Sequence, residues 1–347
     1  MAPLKVGFVG TGIFASDFHL PALQAIPEHF TPYSATNRTK SKAEKFAEKA
    51  KIDGSKVYDT IEELVKDDQV DFIDALVPVQ HNYQVIKTAV DAGKPIIIEK
   101  PLAASLEDAK KIVELDKSTK VPILIAEQWV YFKAIELIKE RLTKIGDVVS
   151  FTHKAIQQWN PNSPFLQTKW RQNPEHIGGF LSDGGVHQIA LLTEVLGNIE
   201  SVSANTRQLR DISGDDDILF SSVKLASGAI GTYTYSTVFA NNKPESSLII
   251  YGTNGSIYLD YTDKDHITID TYVGETTSTN PQHIEFKEDL FSEGIQYEFE
   301  NLYEAITSND KSILKATPAK SFHHYAFFVA AIESSKDGGG AVKVAQL

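Results

Sequence analysis

The sequence feature that most constrains the fold is Gly10-Thr11-Gly12-Ile13-Phe14-Ala15, which directly follows the apolar run 5–9. Its spacing is that of the glycine fingerprint GxGxxA. The first glycine allows a tight turn, the second lets the main chain approach a pyrophosphate, and the small third residue lets a helix pack on a strand. Alone, the match also fits an ordinary turn. After a first strand and before a helix, it indicates a dinucleotide site at a helix N-terminus.

Short β-rich runs alternate with helical patterns through the first 125 or so of the 347 residues. Strands are predicted at residues 5–9, 33–36, 71–77, 95–99 and 122–126, and helices at 18–26, 40–49, 83–92 and 106–118. Several strands are apolar on both faces, as expected for a parallel sheet covered by helices. The alternation therefore predicts a doubly wound α/β domain.

The second half of the chain has a different pattern. Period-two alternation dominates from about residue 200 to 270, with glycine-containing turns, and predicts a largely antiparallel sheet. Helices are predicted at residues 132–143, 186–196, 296–308 and 319–335. These segments indicate a second domain of α+β type, as expected for a chain too long for one core.

The end of the second predicted strand bears on the choice of cofactor. An NAD site usually has an acidic residue there, about 20 residues after the glycines, to bind the ribose hydroxyls. Here Asn37, Arg38 and Thr39 follow the strand, and no Asp or Glu is present. Arg38 is placed to bind a 2′-phosphate, with Thr39 as a further donor. An exposed loop arginine would also fit, but the missing acid and the present arginine both favour NADP(H).

Composition excludes several kinds of site and partner. The chain has no cysteine, so disulfides, thiolate zinc sites and a cysteine nucleophile are impossible. With 34 basic and 46 acidic residues its net charge is −12, which repels nucleic acid and anionic membranes. We predict no metal site. No signal-peptide core follows the N-terminus, and no apolar run approaches the roughly 18 residues of a membrane span, so a cytoplasmic protein with a small-molecule partner is expected.

Glu99-Lys100-Pro101 ends an apolar strand, at the edge where α/β sheets bind ligands. Pro101 restricts Lys100 to an extended conformation or allows a cis bond, and either would fix the direction of the lysine. A lysine at a strand end is often only solvated, so the position alone leaves a catalytic and a solvent-exposed role open.

Asp183 and His187 lie in a glycine-rich segment, four residues apart, and share a face if a helix begins there. Asp183 would then cap the helix and orient the imidazole. Histidine is the side chain whose ordinary pKa suits proton exchange near neutrality. The alternative is that Asp183 is only an N-cap and His187 a packed histidine.

Together, the glycine fingerprint, Glu99-Lys100-Pro101 and the Asp183–His187 segment resemble the Gfo/Idh/MocA oxidoreductases, the glucose–fructose oxidoreductase family. Trp170-Arg171 fits the same pattern, and the resemblance covers essentially the whole chain. Fungal NADP-dependent members have the most similar pattern. One departure is Asn82, which takes the position where many members carry a histidine.

The resemblance implies an α/β fold with two domains. Residues 1–126 would form a Rossmann domain with a doubly wound parallel sheet. Residues 127–347 would form a C-terminal substrate and dimerisation domain with a large, mostly antiparallel open sheet, and the chain would be a homodimer. The implied activity is that of an NADP(H)-dependent dehydrogenase or reductase, which transfers hydride between the nicotinamide and a CH–OH or carbonyl group of a sugar, polyol, aldehyde or ketone.

Carried over by position, Lys100 would polarise the substrate oxygen, and His187 would be the general acid and base with Asp183 as its partner. The residues expected to bind the cofactor are Gly10, Thr11, Gly12, Ile13, Phe14, Asn37, Arg38, Thr39, Pro78, Asn82, Glu99, Lys100 and Gln128. The residues expected to bind the substrate are Lys100, Trp170, Arg171, Asp183 and His187.

Two other functions fit the same fold. One is a non-catalytic NADP-binding regulatory protein, against which the joint presence of Lys100, Asp183 and His187 argues. The other is an enzyme that keeps its nucleotide bound and recycles it by oxidising one sugar while reducing another.

Overall fold

The computed structural model describes residues 2–274 and 280–347, and the chain divides into two compact units. Unit 1 comprises Met1–Tyr131 and Leu290–Phe322, and unit 2 comprises Phe132–Asp289 and His323–Leu347. Residues 290–322 were expected in the C-terminal domain. They are grouped with unit 1 because their helix packs there: the ring of Phe299 contacts those of Phe30 and His19.

Unit 1 is built on a six-stranded parallel sheet. Its strands are β1 (Leu4–Val9), β2 (Phe30–Thr36), β3 (Val57–Tyr58), β4 (Phe72–Ala75), β5 (Ile96–Glu99) and β6 (Ile123–Ala126). Their order is β3-β2-β1-β4-β5-β6, and every neighbouring pair is parallel. The order reverses between β1 and β4, the position at which open α/β sheets bind ligands beyond the carboxyl ends of their strands. The predicted doubly wound parallel sheet is confirmed.

Helices flank this sheet, and β4 and β6 are buried along their whole length. The helices of unit 1 are α1 (Leu20–Gln24), α2 (Lys40–Ala50), α3 (Ile61–Leu64), α4 (Asn82–Asp91), α5 (Leu106–Ser118) and α9 (Ile295–Ser308). A π-helical segment, Ala15–His19, runs directly into α1. Such segments are uncommon and occur often at functional sites.

Unit 2 contains a nine-stranded sheet. Its strands are β7 (Val148–Gln158), β8 (Ile199–Arg207), β9 (Ile218–Leu225), β10 (Ile230–Phe239), β11 (Glu245–Gly252), β12 (Gly255–Asp260), β13 (Ile267–Val273), β14 (Gln282–Phe286) and β15 (Val342–Lys343). The order is β14-β13-β12-β11-β7-β10-β9-β8-β15. Of its neighbouring pairs only β7 and β10 run parallel, which confirms the mostly antiparallel sheet.

The remaining helices are α6 (Lys133–Leu142), α7 (Lys169–Gln172), α8 (Gly179–Leu196) and α10 (Pro318–Lys336), and the boundary between the units falls inside α10. Helix α8 packs against β9 and β10 and covers one face of the sheet. On β9 the side chains alternate accordingly, with Leu219 and Val223 buried and Phe220 exposed. None of the helices in the described ranges is both long and apolar enough to cross a membrane.

Candidate active site

The glycine loop after β1 has the shape of a phosphate cradle. Gly10 has a φ of +90°, and a Cβ there would overlap the carbonyl oxygen of Leu76, so this turn requires glycine. A Cβ on Gly12 would meet no atom within 4 Å, which leaves open space beside its main chain. Ala15 is fully buried where the helix begins. The open space and the free N–H groups of the first helical turn fit the pyrophosphate of a dinucleotide.

The end of β2 is tied to the glycine loop. The Asn37 side-chain amide donates to Thr11 Oγ1 at 3.0 Å, and the Thr39 N–H donates to Asn37 Oδ1 at 2.9 Å. These bonds place Asn37 between the two segments that would hold the adenosine ribose. Arg38 is exposed, and no ion pair to it is found among the described residues, so its guanidinium is available to an anion.

The turn that carries Lys100 is held by one buried amide. Asn82 begins α4 and is 1% exposed, and its Nδ2 donates to the carbonyl oxygens of Glu99, Pro101 and Leu102 at 3.1, 3.0 and 3.3 Å. These carbonyls lie on both sides of Lys100, and the Lys100–Pro101 peptide bond is cis. Asn82 thus binds the protein main chain rather than presenting its amide outward.

A buried histidine lies behind the same turn. His19 Nδ1 is 3.0 Å from Asp74 Oδ1, and His19 Nε2 is 3.1 Å from Glu99 Oε1. His19 and Asp74 are fully buried, whereas the Glu99 side chain is 16% exposed. Burial lowers the pKa of His19, but its Coulombic and hydrogen-bond contacts with Asp74 and Glu99 outweigh this and raise it to about 10. The imidazole is therefore protonated at neutral pH.

More carboxyl groups surround this histidine. Glu298 on α9 is 1% exposed, and its Oε1 has no hydrogen-bond partner among the described residues. Burial raises the pKa of Glu298 well above its ordinary value; the charge of His19 lowers it, and those of Glu99, Glu127 and Asp74 raise it further. This environment therefore disfavours the ionised form of Glu298.

In unit 2, α8 carries the second candidate cluster. Arg171 Nε donates to Asp183 Oδ2 at 2.8 Å, and the guanidinium lies over the ring of Trp170, with Cζ 4.0 Å from the ring centroid. The Tyr235 phenol lies against Gly184, the residue after Asp183, and burial and the charge of Asp183 raise its pKa. An aromatic ring, a cation and a carboxylate thus occupy one small region, a combination suited to polar ligands.

Asp183 and His187 lie one turn apart on the same face of α8, as their spacing predicts. The expectation that Asp183 caps the helix is wrong. Helix α8 begins at Gly179, with Gly178 as its N-cap, so Asp183 lies within the first two turns. Glycine is a poor helix former, which concealed this start in the sequence. His187 is 7% exposed.

The predicted residues fall into two groups. Within unit 1 the structure places Gly10, Gly12 and Arg38 beyond the ends of β1 and β2. Glu99 is the last residue of β5, and Lys100 follows it. Pro78 precedes the 3-10 segment Val79–His81, and Gln128 is 4% exposed, with its Cβ against Gly294. Unit 2 holds four of the five residues expected to bind the substrate, Trp170, Arg171, Asp183 and His187, whereas the fifth, Lys100, lies in unit 1.

Comparison with known proteins agrees with this architecture. Residues 4–127 match the profile described as the oxidoreductase family, NAD-binding Rossmann fold. Residues 136–344 match that of the oxidoreductase family, C-terminal alpha/beta domain, in the same Gfo/Idh/MocA group. The chain belongs to the Gfo/Idh/MocA oxidoreductase family. It therefore has an NAD-type nucleotide-binding fold and dehydrogenases among its homologues.

Individual proteins resemble the chain over most of its length. An uncharacterised protein of Saccharomyces cerevisiae is 46% identical over 348 residues, covering 100% of both chains. The levoglucosan dehydrogenase of Pseudarthrobacter phenanthrenivorans is 26% identical, covering 78% of this chain and 76% of its own. The crystal structure of an oxidoreductase from Thermotoga maritima superposes with a TM-score of 0.84 at 31% identity, covering 99% of this chain and 98% of its own.

Sequence reasoning missed the cluster around His19. His19, Asp74 and Glu298 come from a helical segment, a central strand and a helix near the C-terminus, so no motif contains them. The only available signal was a pair of polar residues next to apolar ones: Asp74 in the run 72–76, and His19 directly before α1. A buried charge requires a partner, and these partners become apparent only in the folded chain.

Proposed function

We propose that this family member is an NADP(H)-dependent oxidoreductase that interconverts a CH–OH group and a carbonyl group in a small sugar-like, polyol, aldehyde or ketone substrate. The observation that carries the cofactor assignment is the end of β2, where an exposed Arg38 without an ion-pair partner among the described residues stands in place of an acid. The Asn37–Thr11 hydrogen bond holds this segment beside the glycine loop. A guanidinium there attracts a 2′-phosphate, whereas an acid would repel it.

When bound, the nicotinamide supplies the hydride chemistry that no side chain provides. In this proposal Lys100 donates a hydrogen bond to the substrate oxygen, and its direction is maintained by the bonds from Asn82 to the flanking carbonyls. His187 exchanges the proton of the substrate hydroxyl. Asp183 and Arg171 form the ion pair that positions polar substrate groups.

The cofactor assignment is tested by titrating the purified protein with NADPH and NADH while following nucleotide fluorescence. We expect tighter binding of NADPH, and a loss of about tenfold or more for NADPH but not NADH in Arg38→Ala, since hydrogen bonds to charged groups contribute roughly 1.5–3 kcal/mol. Lys45→Ala, which removes an exposed cation from α2, is the matched control. Equal affinity of the unaltered protein for the two nucleotides would contradict the assignment.

Turnover is tested with a panel of sugars, polyols, aldehydes and ketones. We expect Lys100→Met and His187→Ala to lower kcat by about a hundredfold or more, the usual scale for loss of an acid–base group, with NADPH affinity changed much less. Tight NADPH binding without turnover of any compound in the panel would favour a regulatory protein. Nucleotide that stays with the protein through gel filtration would indicate internal recycling.

We also propose that two copies of the chain associate through the exposed face of the nine-stranded sheet. That face carries Ile230 at 61% exposure, Phe220 at 51%, and a row of three tyrosines, Tyr251, Tyr258 and Tyr272. Neighbouring rings in the row are 6.3 and 5.5 Å apart between centroids. Aromatic and aliphatic side chains grouped on one exposed surface favour protein association.

A further inference from the structure

The cluster of His19, Asp74 and Glu99 has no role in the proposed reaction as described so far. One imidazole joins two strands of the unit 1 sheet: Nδ1 contacts Asp74 on β4, and Nε2 contacts Glu99, the last residue of β5. The rings of Phe14 and Phe299 lie edge-on to it, with centroids 5.4 and 5.3 Å from that of the imidazole. Both imidazole nitrogens are engaged by carboxylates, so the ring is fixed in one orientation.

Glu99 directly precedes Lys100, and two hydrogen bonds hold it in place. Its carboxylate accepts from His19 Nε2, and its main-chain carbonyl accepts from Asn82 Nδ2. Only the second contact is a neutral hydrogen bond. The first joins a buried imidazolium to a carboxylate that is partly exposed at the carboxyl edge of the sheet. A charge-assisted bond of this kind is roughly twice as strong as a neutral one.

The charges facing His19 come from four elements. They are Asp74 on β4, Glu99 on β5, Glu127 just after β6, and Glu298 on α9. Burial disfavours the ionised form of Glu298, and the imidazolium of His19 contacts Asp74 and Glu99. Without that cation, the fully buried Asp74, whose pKa burial already raises, and the largely buried Glu99 would have no compensating charge from His19.

We propose that His19 is a positioning residue, whose imidazolium keeps Glu99 ionised and immobile and thereby orients the Lys100 turn; this role rests on the proposed function of Lys100. His19 itself contacts neither substrate nor nucleotide in this proposal. It acts through Glu99, the residue between the buried cation and the lysine.

The first test uses the unaltered protein without added nucleotide. Nitrogen-15 NMR of the His19 side chain should report an imidazolium throughout pH 6.5–8.5, and carbon-13 NMR of the Glu99 carboxyl should report an ionised group. Glu99→Gln identifies the second signal. A neutral imidazole or a protonated Glu99 in this range would overturn the proposal, and neither measurement depends on whether the protein turns over any substrate.

The second test removes the His19 cation and then, in a double variant, one of the carboxylates that it faces. His19→Gln retains a hydrogen-bond donor but removes the cation, so the Glu99 pKa should rise, and kcat should fall by about tenfold per pH unit below that new pKa. Adding Asp74→Asn to His19→Gln restores the original net charge of the cluster. The Glu99 signal and the pH profile should then return toward those of the unaltered protein.

The glycine loop and Arg38 are unaltered in these variants, so any change in NADPH affinity would come through Glu99, which is among the residues expected to bind the cofactor. His323→Gln is the matched control: His323 is also buried, accepts a hydrogen bond from the Ile199 N–H, and faces no carboxylate in its own hydrogen bonds. A His19→Gln variant that folds and keeps both the pH profile of kcat and the Glu99 titration would overturn the proposal, as would a double variant no closer to the original than the single one. Failure of every variant, including the unaltered protein, to turn over substrate would contradict the proposed function, with the NMR titrations still deciding the role of His19.

Discussion

At the scale of single residues, Gly12 is a position where a substitution should weaken cofactor binding without changing the stability of the fold. No atom of the protein lies within 4 Å of a Cβ built on it, and its φ is not in the left-handed region, so alanine is sterically allowed. If a pyrophosphate approaches that main chain, however, a methyl group occupies the same space. We expect Gly12→Ala to leave the urea midpoint unchanged within error while weakening NADPH binding by about tenfold or more, the effect of losing roughly 1.4 kcal/mol.

The control for that substitution is Gly54→Ala, because Gly54 also faces open space and lies in a short 3-10 segment away from the glycine loop. It should change neither stability nor binding. Unaltered NADPH affinity in Gly12→Ala would show that the cradle is not where the phosphates bind. A lowered urea midpoint would instead show that the open space is needed for folding.

His19 makes a second residue-scale prediction, on stability against pH. Its pKa rises from an ordinary 6.5 to about 10 on folding, so the folded protein binds the extra proton more tightly. The stabilisation is then complete below pH 6.5 and is lost as the pH rises toward 10, by up to about 1.4 kcal/mol per pH unit. The free energy of unfolding, from urea titrations at pH 6, 8 and 9.5, should converge between the unaltered protein and His19→Gln as the pH rises.

His323 should change the free energy of unfolding with pH in the opposite direction. Burial lowers its pKa to about 4, so its contribution is present above pH 6.5 and is lost as the pH falls toward 4. His323→Gln should therefore approach the unaltered protein at acidic rather than alkaline pH. A difference between His19→Gln and the unaltered protein that is independent of pH would show that His19 is not charged in the fold.

At the scale of elements, the glycines of α8 set how closely it packs on β10. A Cβ on Gly184 would overlap the Tyr235 hydroxyl, and one on Gly185 would overlap the Phe328 ring. Alanine in place of a helical glycine ordinarily stabilises a helix by about 0.5–1 kcal/mol. Here we expect Gly184→Ala to destabilise the protein by about 1–3 kcal/mol, the cost of overpacking.

The matched variant is Tyr235→Phe, which removes the hydroxyl that Gly184 accommodates. In the double variant, Gly184→Ala should cost less than it does alone, and the difference measured by chemical denaturation gives the coupling between the two positions. Additive effects would mean that α8 moves away from the sheet instead of meeting the tyrosine. Because Asp183 is the neighbour of Gly184, such a movement would also displace the Arg171 ion pair.

The hydrophobic periodicity of the sequence predicted those helices and strands in which apolar side chains mark the buried positions. Five of the six strands of unit 1 and helix α5 were predicted within a few residues, because apolar runs and capping residues mark their ends, whereas the two-residue strand β3 was not predicted. Strand β7 was missed although it alternates, because its buried positions include the polar His153, which is paired with Tyr261 at 2.9 Å. The first two turns of α8 were missed because glycines there serve packing rather than helix propensity.

The site residues fall into the same two classes, those that a local pattern predicts and those that only long-range contacts reveal. Gly10, Arg38 and Lys100 lie in local motifs, and the neighbouring residues in the sequence predict their chemistry. The hydrogen bonds of Asn82 to the Lys100 turn, and the two carboxylates of His19, join positions 17 to 80 residues apart. Such contacts depend on strand order, and a single sequence does not specify which strands become neighbours.

At the scale of the whole molecule, the exposed face of the nine-stranded sheet governs association. Strand register places Phe220 opposite Thr234 on β10, four residues from Ile230 and on the same face, while Tyr258 lies opposite Ile249 on β11. An apolar and aromatic surface of this kind favours association with a second copy of the chain. Light scattering after gel filtration should therefore give twice the mass of the chain.

Charge placed on that face should separate the copies. Ile230→Glu introduces two like charges near a two-fold axis and removes an exposed apolar side chain, so we expect the variant to elute as a monomer or to need a much higher concentration to associate. Ile313→Glu, an exposed isoleucine of unit 1, is the control and should leave the mass unchanged. An unaltered protein that is monomeric at micromolar concentration contradicts the proposal. If both variants remain dimeric, the interface lies on another surface, and the tyrosine row must be explained by a different partner.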